Sequence, residues 1–198
     1  MENEKIREFS KNYLDETKRI LELIELDILN GAEKIVALLE NAKEKRNTVF
    51  IMGNGGSGAS SSNFVEDLAK GTIVGDSKRF KAISLADSNS AILAWANDNS
   101  YEDIFVEQLK SLMEPGDVVI GLSGSGNSMN VIKAIEYANN KGITIGFSGY
   151  DGGKLLKCAQ NNIHVPSFSM QRVEDVHMIF FHILMCVLLE NEKSKVNK

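Results

Sequence analysis

Residues 123 to 128, Ser-Gly-Ser-Gly-Asn-Ser, place three hydroxyls and an amide within six positions. They follow the apolar run Val118-Val119-Ile120 and precede Val131, Ile132, Ile135 and Ala138 at helical spacing. The loop therefore joins a buried strand to the start of a helix. The first N–H groups of a helix have no intrahelical partner and carry partial positive charge, so they attract anions. Glycine lets the backbone close on a ligand, and Ser and Asn add neutral donors. A second loop of this kind, GNGGSGASSS at 53 to 62, follows another apolar run, TVFIM at 48 to 52. One such loop reads equally well as capping and turn chemistry. Two at matching strand ends point to one ligand with a phosphate end and a polyol end. Neither a G-x-x-x-x-G-K-[ST] phosphate loop nor a G-x-G-x-x-G dinucleotide fingerprint is present.

The elements that must hold these loops alternate along the chain. Strands are predicted at 48–52, 80–85, 117–122, 143–148 and 162–166, with helical segments between them. Continuous apolar strands separated by helices imply an α/β fold, with a parallel sheet covered on both faces. Before them, Ile6, Phe9, Tyr13, Ile20, Leu21 and Ile24 mark a helix over about 3–29. Leu14, Leu23, Leu26 and Ile28 lie off that stripe, so the helix must bury more than one side. Asn30-Gly31 is expected to break it before a second helix with Ile35, Val36, Leu38 and Leu39. The last helix is expected over about 171–190.

The 198 residues suit one domain. Within it, 1–45 would be N-terminal helices for oligomerisation, 46–191 the α/β core and 192–198 a frayed tail. Apolar residues make up 43% of the chain, which excludes disorder. The formal net charge of −5, without a long basic block, argues against a nucleic-acid partner. The opening MENEKIREFS has no apolar run, so no secretory signal is expected. The longest apolar stretch, 176–189, is shorter than the roughly 20 residues a membrane span needs. Cys158 and Cys186 sit in apolar helical contexts and are expected to be reduced core residues. Together these features predict a cytoplasmic protein with no membrane partner. Trp95, Phe105, Phe180 and Phe181 read as core or interface, and His177, in an apolar helix, reads the same way.

GNGGS (53–57), ANDNSYEDIF (96–105), GDVVIGLSGSGNSMNVIKAIEYA (116–138), DGGKL (151–155) and RVEDVHMIFFHIL (172–184) together resemble sugar isomerase (SIS) domains. The closest resemblance is to the phosphoheptose isomerase branch, in order over about residues 35 to 190. The resemblance implies a five-stranded parallel sheet, a homotetramer and active sites between subunits. It also implies conversion of sedoheptulose 7-phosphate into glycero-manno-heptose 7-phosphate for surface polysaccharide.

Carried over by position, Ser123, Gly124, Ser125 and Ser128 would hold the phosphate. Asn54, Gly55 and Ser57 would meet the sugar chain, with Asn97, Asp98 and Glu174 at the substrate. His182 matches a histidine used in acid–base chemistry and zinc binding. One divalent metal per subunit, zinc in the family, would draw on Asp67, Glu174 and His182. The chain departs from the family at several of these places. Asn63 replaces a zinc-binding His and is a poor ligand. Asp67 replaces the catalytic Glu, Glu174 replaces a Gln, and Ser88 stands where Asp is usual. Asp67 can serve as a base with an arm one methylene shorter. The altered set leaves a second reading open, a SIS module that binds a sugar phosphate or a protein without turnover. A third, the sugar-phosphate amine chemistry of glucosamine-phosphate synthases, lacks its glutaminase domain here.

Overall fold

The structure is a computed structural model that describes residues 2–196. Five parallel strands form one sheet: β1 (Thr48–Gly53), β2 (Lys81–Ser84), β3 (Val118–Ser123), β4 (Ile143–Ser148) and β5 (Asn161–His164). Their order is β2-β1-β3-β4-β5. The sequence therefore first builds outward from β1 to one edge, then crosses to β3 and continues to the other. β1 and β3 are neighbours, with Met52 opposite Gly121 and Gly53 opposite Leu122. Both polar glycine loops consequently leave the sheet side by side at its C-terminal edge, where open parallel sheets bind ligands.

Among the described residues, eight α-helices accompany the sheet: α1 (Glu2–Leu23), α2 (Glu25–Lys45), α3 (Gly55–Glu66), α4 (Asn89–Asp98), α5 (Val106–Leu112), α6 (Met129–Ala138), α7 (Leu155–Cys158) and α8 (Met170–Val196). One face of the sheet packs against α2, α3 and α8 through Leu39, Ile51, Phe64, Ile120, Phe147, Phe180 and Phe181. The Phe64 and Phe181 rings stack at 4.3 Å. The other face packs against α4 to α7 through Phe50, Phe105, Leu109, Val119, Val131 and Ile135. Fully apolar strands are explained by this double cover. No helix among the described residues is long and apolar enough to cross a membrane.

Several boundaries differ from the sequence reading. The N-terminal helix ends at Leu23, and Ile24 separates it from α2. Asn30-Gly31 lies inside α2 instead of breaking the chain. A β-carbon at Gly31 would fall 2.4 Å from Ile163 Cδ1, so this glycine serves close helix–sheet packing. The lysine-rich end does not fray up to Val196. Lys43 and Glu192 form a buried ion pair there, and Lys195 binds Glu40 at 3.2 Å, pinning the last turns of α8 to α2. Residues 197 and 198 lie outside the described residues. Cys158 is half-buried, but Cys186 is exposed and so is not a core residue. Trp95 is half-buried against the second core, while Phe105, Phe180 and Phe181 are fully within the cores. Along α1 and the start of α2, Phe9, Leu23 and Leu26 are each about 70% exposed, with Ile6 and Leu14 near 60%.

Candidate functional site

The serine loop is organised by its own polar atoms. Ser123, the last residue of β3, donates its hydroxyl to Ser128 Oγ at 2.9 Å, closing the loop across its mouth. Gly126 N–H donates to the Ser123 carbonyl at 2.8 Å. Gly126 has φ +68°, and a β-carbon there would lie 2.1 Å from the Gly152 carbonyl oxygen, so only glycine fits. The DGGKL segment supports the loop from outside. Leu155 N–H reaches the Gly126 carbonyl at 2.9 Å, and Lys154 N–H reaches Asn127 Oδ1 at 3.3 Å.

Beside the loop lies a cavity of about 190 Å³ lined by Asn54, Ser57, Ser123, Gly124, Ser125, Ser128 and Glu174, with Leu122 and Met170. Seven positions singled out from the sequence therefore converge on one space. Glu174 enters from α8, and its carboxylate lies over the start of α3. A β-carbon on Gly56 would come within 2.5 Å of Glu174 Oε1. α3 has no acidic residue in its first turn and no side-chain cap bond, so Glu174 supplies the negative charge that a helix start favours.

A second cavity of about 250 Å³ adjoins the first. Asn54 lines both cavities, while Gly55, Ser62 and Tyr101 line the second. Asn97 and Asp98, expected at the substrate, end α4 on the surface. They are bonded to each other at 2.8 Å and line neither cavity. Ser88 stands at the N-cap of the same helix.

At the other end of α3 the chemistry changes. The helix passes into a single π turn, Asp67–Gly71, a distortion common at functional sites. Asp67 is 9% exposed, and its Oδ2 atom is buried with no hydrogen-bond partner. Burial pushes its carboxyl above the ordinary aspartate value, with the neighbouring His182 charge acting against the shift. Asn63 and Glu66 are exposed, as is His182 on α8. Asn63 and Asp67, four residues apart, differ in burial: Asn63 is exposed and Asp67 is buried.

The Asp67 end is also remote from the serine loop. Twelve residues separate Gly55 from Asp67, about 18 Å at the helical rise, and eight separate Glu174 from His182, about 12 Å. Among the described residues no three His, Cys, Asp or Glu side chains are close enough to hold a metal ion. Asp67, Glu174, His182 and Asn63 are thus not gathered into a metal site within one chain.

His177, the other α8 histidine, is fully buried against Phe147. Its Nε2 lies 3.3 Å from the Ser148 carbonyl, and burial lowers its pKa to about 4, so it is a neutral core residue.

Sequence reasoning missed Asn130 and Tyr101. Asn54 and Asn130 exchange amide hydrogen bonds at 3.0 and 2.9 Å, and the Tyr101 hydroxyl donates to Asn54 Oδ1 at 2.9 Å. A signal for Asn130 existed: an amide at the second position of an otherwise apolar helix favours local hydrogen bonding over helix.

The family model for the SIS domain matches residues 12–149, well over half of the chain. This chain belongs to the SIS domain family. A protein named phosphoheptose isomerase from Aliarcobacter butzleri (strain RM4018) is 36% identical over 188 residues, covering 93% of this chain and 96% of that protein. A probable phosphoheptose isomerase from Thermoplasma acidophilum is 35% identical over 185 residues, covering 92% and 98%. Among solved structures, phosphoheptose isomerase GmhA from Neisseria gonorrhoeae aligns with a TM-score of 0.85 at 25% identity, over 92% of this chain and 98% of that one. The agreement extends over the long N-terminal helices as well as the SIS core.

Proposed function

We propose that this SIS domain protein is a phosphoheptose isomerase, interconverting sedoheptulose 7-phosphate and D-glycero-D-manno-heptose 7-phosphate for surface polysaccharide. The observation that carries this reading is the cavity at the serine loop. It gathers neutral hydroxyls at the start of α6 beside the glycine loop of α3, in a chain whose near-full-length relatives bear that enzyme's name. Ser123, Ser125 and Ser128 would hold the phosphate, and Asn54 and Ser57 the adjoining sugar carbons.

Aldose–ketose isomerisation moves a proton between adjacent carbons. Asp67 is assigned as the base. It takes the proton from C1 of the ketose, the C2 carbonyl oxygen takes up a proton, and an enediol forms. Asp67 then returns the proton to C2 as O1 loses its own, leaving the aldehyde at C1. His182, beside Asp67, moves the proton between the two oxygens. Burial suits Asp67 to this role, because a raised pKa makes a carboxylate a stronger base.

Because Asp67 lies about 18 Å along α3 from its own glycine loop, a complete site takes Asp67 and His182 from one chain and the serine loop from another. The apolar residues exposed on α1 and at the start of α2 favour a homotetramer that buries them. A divalent cation bound by Asp67, Glu174 and His182 would likewise need donors from two chains. Incubating the purified protein with sedoheptulose 7-phosphate, with and without zinc, and following aldose phosphate by NMR tests the reading. Turnover supports it. Binding without turnover under every metal condition replaces it with a non-catalytic sugar-phosphate-binding SIS domain.

A further inference from the structure

The wall shared by the two cavities is a chain of hydrogen bonds whose direction is fixed at one end by backbone. Val131 N–H can only donate, and it lies 2.9 Å from Asn130 Oδ1. That contact sets the Asn130 amide, oxygen toward Val131. Asn130 Oδ1 then receives Asn54 Nδ2 at 3.0 Å, and Asn130 Nδ2 gives to Asn54 Oδ1 at 2.9 Å. Asn54 Oδ1 is thereby an acceptor, so the Tyr101 hydroxyl, 2.9 Å away, donates to it. An amide oxygen has two lone pairs. Here Asn130 and Tyr101 take both. What Asn54 retains is one N–H, and Asn54 lines both cavities.

Tyr101 is held for this task although the residue is 57% exposed. It opens the short turn Tyr101–Asp103. Lys133 clamps that turn, binding Glu102 at 2.9 Å and Asp103 at 3.1 Å. Ser100 also donates to Asp103 Oδ2 at 2.7 Å. Lys133 lies three residues beyond Asn130, on the same face of α6. One helix face therefore sets both Asn130 and the turn that carries Tyr101.

We infer that Tyr101 is a positioning residue for the reaction: by occupying the last acceptor site of Asn54, it makes Asn54 a pure hydrogen-bond donor toward an oxygen of the sugar chain. The inference rests on the reading of these cavities as the sugar-phosphate site. Without the hydroxyl, Asn54 Oδ1 regains a free lone pair at the cavity wall and the amide loses one of its three restraints. Since Asn54 would hold the substrate alike before and during proton transfer, the loss should fall on KM, with kcat little changed.

The test is Tyr101→Phe, which keeps the ring and removes only the hydroxyl. Isomerisation kinetics and calorimetric binding of sedoheptulose 7-phosphate are measured for wild type, Tyr101→Phe, Asn54→Ala and the double variant. One neutral hydrogen bond predicts that KM and Kd rise roughly 3- to 10-fold in Tyr101→Phe, with an unchanged melting temperature. In the Asn54→Ala background the same change should have no further effect, a coupling that general loosening of the turn would not produce. Wild-type KM and Kd in Tyr101→Phe, or an equal loss in both backgrounds, overturns the inference while leaving the enzyme reading intact. A folded wild type that neither binds nor isomerises the sugar phosphate overturns both.

Discussion

The two ends of α3 are built on opposite principles. At its start, the glycine and serine loops hold neutral groups that satisfy one another: Ser123 with Ser128, Asn54 with Asn130 and Tyr101. At its far end, Asp67 sits on a π turn with a buried oxygen that nothing satisfies. A buried, unpartnered carboxylate is costly to a fold, which suits the proposed base, whereas the mutually satisfied loops suit the proposed sugar-phosphate binding. The same division runs along α8. Buried His177 serves the core, and exposed His182, under two turns later, faces Asp67.

The division is broken most directly by separating turnover from binding. Asp67→Asn should lower isomerisation by roughly 10²–10⁴-fold while calorimetry finds sugar-phosphate affinity nearly unchanged. Equal turnover in wild type and variant would remove Asp67 as the base. The reciprocal change, Ser125→Asp, sets a carboxylate against the phosphate. Like-charge juxtaposition costs several kcal/mol, so affinity should fall roughly 100-fold or more. Unchanged affinity by calorimetry would take the serine loop out of the site.

The two histidines can be told apart by pH. The His177 pKa is lowered from 6.5 to about 4. The unfolded chain therefore binds a proton below pH 6.5 that the folded protein refuses until near pH 4. Stability from this group is complete above pH 6.5 and is lost as pH falls through that window, on the order of 3 kcal/mol in all. Urea melts at pH 7 and pH 4.5 should show the loss in wild type and a smaller one in His177→Gln. Asp67 acts in the opposite sense on stability. Its raised folded pKa means that the contribution present at low pH is lost as pH climbs above the free aspartate value. As the proposed base, Asp67 needs its ionised form, so the acid limb of kcat/KM should lie above the free aspartate value and respond to changes at Asp67 but not at His177.

The smallest effect expected is that of Asp67→Glu, which restores the longer arm and should keep turnover or raise it a few-fold, since reach matters when a base must meet a carbon-bound proton. A strong fall in turnover would show that the π turn is shaped around the shorter side chain.

Much of this molecule was legible in its residues because the information was local. Apolar runs of strand length between helical periods specify a parallel sheet covered on both faces. Ser, Gly and Asn between a strand and a helix specify a polar loop at a helix start, and that loop closes through Ser123 and Ser128, five residues apart. What the sequence did not contain was distance between elements. That Asn97 and Asp98 line neither cavity, that Asn63 faces outward while Asp67 is buried, and that Glu174 and Asp67 fall at opposite ends of α3 all depend on packing. The Asn54–Asn130–Tyr101 relay joins residues as much as 76 positions apart. It exists only because the strand order sets β1 beside β3 and so brings the starts of α3 and α6 together. The lysine-rich end looked free to fray because its partner, Lys43, lies far away in sequence; a buried charge needs an opposite one, and only the packing of α8 on α2 supplies it.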